Sequence, residues 1–198
     1  FSTHDASFGF FEGSTMIYWV SSVFMLLAGI NFSLHFFAWK SKSLSTYIND
    51  SEFKAYLGLL LSVVIISGLA LMTNSSENFE GVSFSQMFFQ VVSIGTTTGY
   101  TSSGYGVWPI FIPFLLLLLS FVGGSVGSTG GGLKVARCLI LFKQGLREAK
   151  RLIHPSAEIV VKINQKGVDQ RILDSVWGFM SAYIGILVVF TLIMLACG

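Results

Sequence analysis

Long apolar runs separated by short polar stretches dominate the chain, and four of them are candidates to cross a bilayer. A crossing takes about 20 apolar residues at about 1.5 Å of rise each. The first run extends from Met16 to Ala38, with Trp19 near one end and Trp39 just past the other, the places where interfacial aromatic residues sit. The second covers Ala55 to Met72 and the fourth Val176 to Cys197. The third is interrupted: an apolar run from Trp108 to Val122, a glycine cluster, then a second run from Leu133 to Phe142.

The stretch from Ser83 to Ile94 differs from all of these. As a helix it reaches roughly 16–18 Å, about half of a hydrocarbon core of about 30 Å. Ser83 and Gln86 have the S-x-x-Q spacing of a capping box that would start it. Polar, glycine-containing sequence follows at once, so the expected path is a re-entrant half-helix that dips in and returns.

Composition agrees with a membrane protein. Hydrophobic residues make up 53% and charged residues 11%, whereas soluble domains carry about 25% charged residues. Mean hydropathy is +0.72. Cys138 and Cys197 lie in or beside apolar runs without metal-ligand spacing, so neither a disulfide framework nor a structural metal is indicated. The net charge of +2 matters less than its distribution. No Lys or Arg occurs from Phe1 to Thr15, where Asp5 and Glu12 are the formal charges, or from Asn74 to Val107, where Glu77 and Glu80 are. Lys40, Lys42 and Lys54 lie between the first two runs. Lys134, Arg137, Lys143, Arg147, Lys150, Arg151, Lys162, Lys166 and Arg171 follow the glycine cluster. The positive-inside rule then places the 40–54 and 143–171 loops in the cytoplasm and the half-helix outside. Four alternating crossings satisfy it. Phe1 is not an initiator Met and Gly198 follows an apolar run directly, so both ends read as interruptions of a longer chain.

Gly95, Thr96, Thr97, Thr98, Gly99 and Tyr100 follow the half-helix without a linker. Irregular backbone at membrane depth survives only when buried in protein or lining a watery cavity, and rings of main-chain carbonyls can replace the hydration shell of K⁺. The C-terminal end of the half-helix directs partial negative charge at such a cation, and Gly99 gives the backbone freedom to turn its carbonyl inward. An ordinary Gly/Thr connector between helices is the competing reading. Ser102, Ser103, Gly104, Tyr105 and Gly106 look more like the potassium-channel sequence TVGYG, but their distance from the half-helix and proximity to Trp108-Pro109 argue against them.

The cluster Gly123, Gly124, Ser125, Val126, Gly127, Ser128, Thr129, Gly130, Gly131, Gly132 holds six glycines in ten residues, each costing a helix about 1 kcal/mol. Gly123 to Gly127 fits the G-x-S-x-G nucleophile elbow but lacks the strand before it and a route from His4, His35 or His154 to Ser125. Gly127 to Lys134 departs from a P-loop at Leu133 and Val135. Glycines at 123, 127 and 131 could form a close-packed helix face; the alternative is a broken helix whose loop lies in the membrane beneath the filter and obstructs or opens the path. Asn31 and His35, polar within the first run, are expected to bond between helices rather than contact ions. Asp174 and Arg171 are expected to anchor at the membrane edge.

VVSIGTTTGYT (Val91 to Thr101) and GGSVGSTGGGLKVAR (Gly123 to Arg137) resemble the corresponding motifs of the Trk/Ktr/HKT superfamily of potassium transporters, most closely the Trk-type bacterial pore subunit. FSTHD (Phe1 to Asp5) resembles the segment after the preceding filter glycine. The resemblance extends over the whole chain. It implies an all-α membrane protein of helix–pore-loop–helix repeats, four to a polypeptide. Residues 1–54 would then hold the end of the second pore loop, its outer-pore helix and a cytoplasmic loop. Residues 55–145 would be the third repeat, and 146–198 a cytoplasmic loop with the first helix of the fourth. It implies K⁺ uptake through a filter of Thr96, Thr97, Thr98, Gly99 and Tyr100, with K⁺ at Thr97, Thr98 and Gly99, passively or with a coupled ion. Gly123 to Gly132 would be the intramembrane gating loop, in which Val126 is bulkier than the small residue usual there. It further implies a bacterial inner-membrane location, a homodimer, and a cytosolic nucleotide-binding regulatory subunit docking on the basic loops. No cofactor besides transported K⁺ and no nucleic acid are expected. A pore for Na⁺, a non-conducting scaffold and a membrane enzyme using Ser125 are the rival functions.

Overall fold

The computed structural model describes residues 7–11, 14–73, 83–102, 104, 108–154, 159–164 and 166–197. The segment Phe1 to Asp5 with His4, the acidic residues Glu12, Glu77 and Glu80, and Ser103, Tyr105 and Gly106 of the TVGYG-like pentapeptide lie outside these. The described elements are α1 (Thr15–Ala28), α2 (Phe32–Ser41), α3 (Ser45–Asn49), α4 (Ser51–Thr73), α5 (Phe84–Gly95), α6 (Phe111–Val122), α7 (Val135–Ile153), β1 (Lys162–Ile163), β2 (Lys166–Gly167) and α8 (Gln170–Cys197). A short 3-10 turn, Ser7–Phe11, precedes them. Apart from the small antiparallel hairpin, which pairs Lys162 with Gly167 and Ile163 with Lys166, the protein is helical. It forms two compact units, Phe1–Val135 and Ala136–Gly198.

In the first unit α5 is the element around which the others pack, in contact with α1, α4 and α6. Its Met87 and Val91 join Tyr56, Leu60 and Val63 of α4 and Ile112 and Leu116 of α6 in one core. Phe89 and Val92 face Tyr18 and Met25 of α1 in a second. The half-helix starts as its sequence predicts, with Gln86 Oε1 accepting from the Ser83 N–H at 3.0 Å. Its twelve residues give a length of about 18 Å. By contrast α4, with 23 residues, is about 34 Å long and turns Leu61, Ile65 and Leu69 outward. Among the described residues, α4 and α8 are each long and apolar enough to cross a bilayer.

The first span departs from expectation. Instead of one helix over 16–38, α1 and α2 meet at 93°. A continuous helix would send the Phe32 and Ser33 N–H groups to the carbonyls of Ala28 and Gly29. Here the Phe32 N–H donates to the Gly127 carbonyl at 3.1 Å, and the Ser33 N–H to Asn31 Oδ1 at 2.8 Å. The freed carbonyls of Ala28 and Gly29 accept from the glycine cluster. The Phe32 and Ser33 N–H groups and the Ala28 and Gly29 carbonyls thus all keep partners at the break. Asn31 is therefore a helix cap and not an interhelical bridge. His35 does bridge: Nε2–H donates to the Leu27 carbonyl at 2.9 Å and Nδ1 pairs with the Tyr47 hydroxyl at 2.8 Å.

In the second unit, the expected loop over 143–171 is helical as far as Ile153, because α7 is amphipathic well beyond its apolar start. Ile140, Val161, Leu173 and Val176 form the core of this unit. Arg137 lies 4.1 Å over the Phe179 ring, and Glu148 gathers Arg147 and Arg151 at 3.1 and 3.5 Å. At the start of α8, Asp174 accepts from Gln170 Nε2 at 3.0 Å.

Candidate functional site

Two features define the site, the tip of α5 and the loop between α6 and α7. Gly95 ends α5 where there is no space for a side chain: a Cβ would lie 2.4 Å from Leu60 Cδ2 and 3.1 Å from Leu119 Cδ2. Thr96 seals the last turn, its N–H and hydroxyl both donating to the Val92 carbonyl at 2.9 and 2.8 Å. Its hydroxyl also pairs with that of Thr98 at 2.7 Å. The chain then reverses through two left-handed residues, Thr97 at φ 57° and Gly99 at φ 82°. Glycine takes this conformation freely, but a β-branched residue does so only when its surroundings over-determine it.

After the reversal the chain climbs back along α5. The Thr98 and Gly99 N–H groups donate to the Ser93 carbonyl at 2.9 and 3.3 Å. Ser93 Oγ donates to the Tyr100 carbonyl at 2.6 Å. The Ser102 N–H then donates to Gln90 Oε1 at 3.2 Å and its hydroxyl to the Gln86 carbonyl at 3.1 Å. Phe8 backs the return, with its ring centroid 4.9 Å from that of Tyr100 and 5.1 Å from that of Phe89. Ser102, where the TVGYG-like stretch starts, is thus fully buried against the flank of α5, away from its tip. Thr97, Thr98 and Gly99 are exposed while Thr96 is buried. Among the described residues no hydrogen bond is donated to the carbonyl oxygens of Thr96, Thr97, Thr98 or Gly99, whereas that of Tyr100 is held by Ser93. Thr97 and Gly99 line an open cavity of about 610 Å³ completed by Ile94 and by Pro113, Leu117 and Ser120 of α6.

The glycine cluster is a loop and not a helix, so glycines 123, 127 and 131 form no packing face. Its stem is closed by the Leu133 N–H donating to the Phe121 carbonyl at 2.9 Å and the Lys134 N–H to Val122 at 2.8 Å. Gly123 (φ 72°) is obligatory there, because a Cβ would fall 2.1 Å from the Gly131 carbonyl oxygen. Between the ends the loop projects sideways into the α1–α2 break. The Ser125 N–H donates to the Gly29 carbonyl at 2.9 Å and the Thr129 N–H to Ala28 at 3.2 Å. Its far end reaches the half-helix, where the Gly131 N–H donates to Thr97 Oγ1 at 2.7 Å. Gly130 passes so close that a Cβ would sit 2.9 Å from the Thr96 carbonyl oxygen. Lys134 Nζ donates back to the Gly130 carbonyl. At the tip, the Val126 N–H donates to Glu52 Oε1 at 2.6 Å. The bulk of Val126 therefore meets no packing conflict, since its side chain lies on the exposed tip.

The structure thus brings the two sequence motifs into direct contact through Thr96, Thr97, Gly130 and Gly131. Ser125 is buried and engaged through its backbone, while His35 is turned to Leu27 and Tyr47. Sequence reasoning missed the α1–α2 break, the supporting Ser93 and Gln90, and Glu52. A glycine two residues before an asparagine, within an otherwise apolar run, was the available signal for the break. Glu52 carried none.

The family described as TrkH, cation transport protein, matches residues 1–198. The Trk system potassium uptake protein TrkH of Salmonella typhimurium strain LT2 is 46% identical over 198 residues, which is 100% of this chain and 41% of that protein. Its counterpart in Escherichia coli strain K12 is 45% identical with the same coverage. The crystal structure of the potassium transporter TrkH from Vibrio parahaemolyticus superimposes with a TM-score of 0.91 at 44% identity, covering 100% of this chain and 42% of that one. The chain spans about two fifths of the length of these relatives.

Proposed function

The chain belongs to the TrkH family of cation transport proteins, and from that premise we propose that it is part of a K⁺-uptake pore in a bacterial inner membrane. The observation that carries this reading is the row of carbonyls from Thr96 to Gly99. They lie at the C-terminal end of a buried half-helix and receive no hydrogen bond among the described residues. Backbone of this kind is stable at membrane depth when it faces a polar path, and its oxygens can take the place of a cation's water shell. Partial negative charge at the end of α5 adds to the attraction.

In this reading Thr97, Thr98 and Gly99 coordinate K⁺ with Thr96 beside them. Tyr100 closes the filter, its carbonyl held by Ser93 and its ring by Phe8. Residues 55–145 form one membrane–pore-loop–membrane repeat, flanked by parts of its neighbours in 1–54 and 146–198. The loop of Gly123, Gly124, Ser125, Gly127, Ser128, Thr129, Gly130, Gly131 and Gly132 obstructs the path directly beneath the filter. The filter faces outward, and the basic segments 40–54 and 143–171 face the cytoplasm. There they suit a regulatory nucleotide-binding subunit, with a second copy of the chain completing a homodimer.

Gly99→Ser tests the filter. A Cβ at Gly99 meets nothing within 4 Å, so the substitution disturbs backbone conformation and not packing. A side chain in the left-handed region costs about 1–2 kcal/mol. The full-length variant in proteoliposomes is expected to show a ratio of Rb⁺ to Na⁺ uptake about ten-fold lower than wild type. An unchanged ratio would refute the assignment.

A further inference from the structure

We propose that Glu52 is a positioning residue for the glycine loop, a latch that holds the loop tip against the start of α4. This rests on the reading of residues 123–132 as the gate. The loop is fastened at its stem, in the α1–α2 break, at the filter and at its tip, and the fastenings differ in kind. The stem bonds join backbone to backbone, those in the break are backbone bonds joined by the Thr129 hydroxyl donating to the Ala28 carbonyl at 3.2 Å, and at the filter Thr97 accepts with a neutral hydroxyl. At the tip the acceptor is a carboxylate, 2.6 Å from the Val126 nitrogen and 74 positions away in sequence. Charge-assisted hydrogen bonds of this length are about twice as strong as neutral ones.

Next to it, the Gly127 carbonyl accepts from the Phe32 N–H at 3.1 Å, a neutral backbone bond. Val126 is 45% exposed, and Gly127 (φ 73°) turns the chain without contributing a side chain. Glu52 lies in the first turn of α4, the helix whose Leu60 packs against the tip of α5 at Gly95. One helix therefore supports the filter end of α5 and restrains the loop that docks on it. Releasing the latch frees the tip while leaving the filter residues and their supports from Ser93 and Gln90 intact.

The test uses full-length protein in proteoliposomes, with Rb⁺ flux measured in the absence of any regulatory subunit. The proteins compared are the wild type, a deletion of residues 124–131, Glu52→Ala, and Glu52→Gln, which keeps shape and an acceptor oxygen. The deletion is expected to raise flux. Glu52→Ala is expected to raise it on the order of ten-fold, with the Rb⁺/Na⁺ ratio and melting temperature of the wild type, and Glu52→Gln to fall between. If the deletion raises flux while both Glu52 variants match wild type, the latch is wrong and the gate stands. If the deletion does not raise flux, the gate reading fails and the latch with it. A change in ion ratio in the Glu52 variants would also overturn the proposal, because it would place their effect in the filter.

Discussion

Thr97 serves two functions with different atoms. Its carbonyl belongs to the proposed filter, while its hydroxyl accepts from the Gly131 N–H of the loop. Its left-handed backbone is costly for a β-branched residue and persists because α5 on one side and the loop on the other fix it. Thr97→Val keeps the shape and removes the acceptor; Thr97→Ser keeps the acceptor and removes the branch. A neutral hydrogen bond contributes about 1 kcal/mol net, so the valine variant is expected to raise Rb⁺ flux about five-fold and the serine variant to stay near wild type. Equal flux in the two would disconnect the side chain from the loop. The sequence marks Thr97 as a filter residue through its neighbours in the motif. The role of its hydroxyl was not legible there, because the partner lies 34 residues away on a loop whose path depends on the break in α1–α2.

At the scale of elements, the short α5 and the non-helical glycine loop after α6 could be read from sequence because their signals are local. A capping pair starts α5, glycine and threonine end it, and six glycines in ten residues cannot continue a helix. The α1–α2 break escaped the same reading because Gly29 alone is tolerated in a helix. What breaks the helix is tertiary: Ala28 and Gly29 give their carbonyls to the loop, and Tyr56 occupies the space beside Gly29 while donating to the Leu26 carbonyl at 3.1 Å. Two glycine substitutions separate these effects. A Cβ at Gly29 would lie 2.3 Å from the Tyr56 hydroxyl, whereas one at Gly58 meets nothing within 4 Å. Gly29→Ala is expected to destabilise by about 1–3 kcal/mol and Gly58→Ala to stabilise by about 0.5–1 kcal/mol. Their melting temperatures in detergent should therefore move in opposite directions. A shift of the same sign in both would deny that Tyr56 fixes the break.

At the scale of the molecule, the exposed apolar faces of α1, α4, α6 and α8 are consistent with a chain that meets lipid or further protein on most sides. Apolar length made the membrane class legible, together with the two long apolar helices α4 and α8. The amphipathic extension of α7 was not, because its charges read equally well as a solvated loop. The cavity beside Thr97 and Gly99 is open, which suits the proposed ion path. The central claim is that K⁺ is stripped of water at residues 96–99. Crystals of the full-length protein grown with Rb⁺ or Tl⁺ in place of K⁺ test it most directly. Anomalous density in contact with the carbonyl oxygens of Thr97, Thr98 and Gly99 is the expected result. Density confined to the 102–106 stretch, or none along the α5 tip while the ion is ordered elsewhere in the pore, would contradict it.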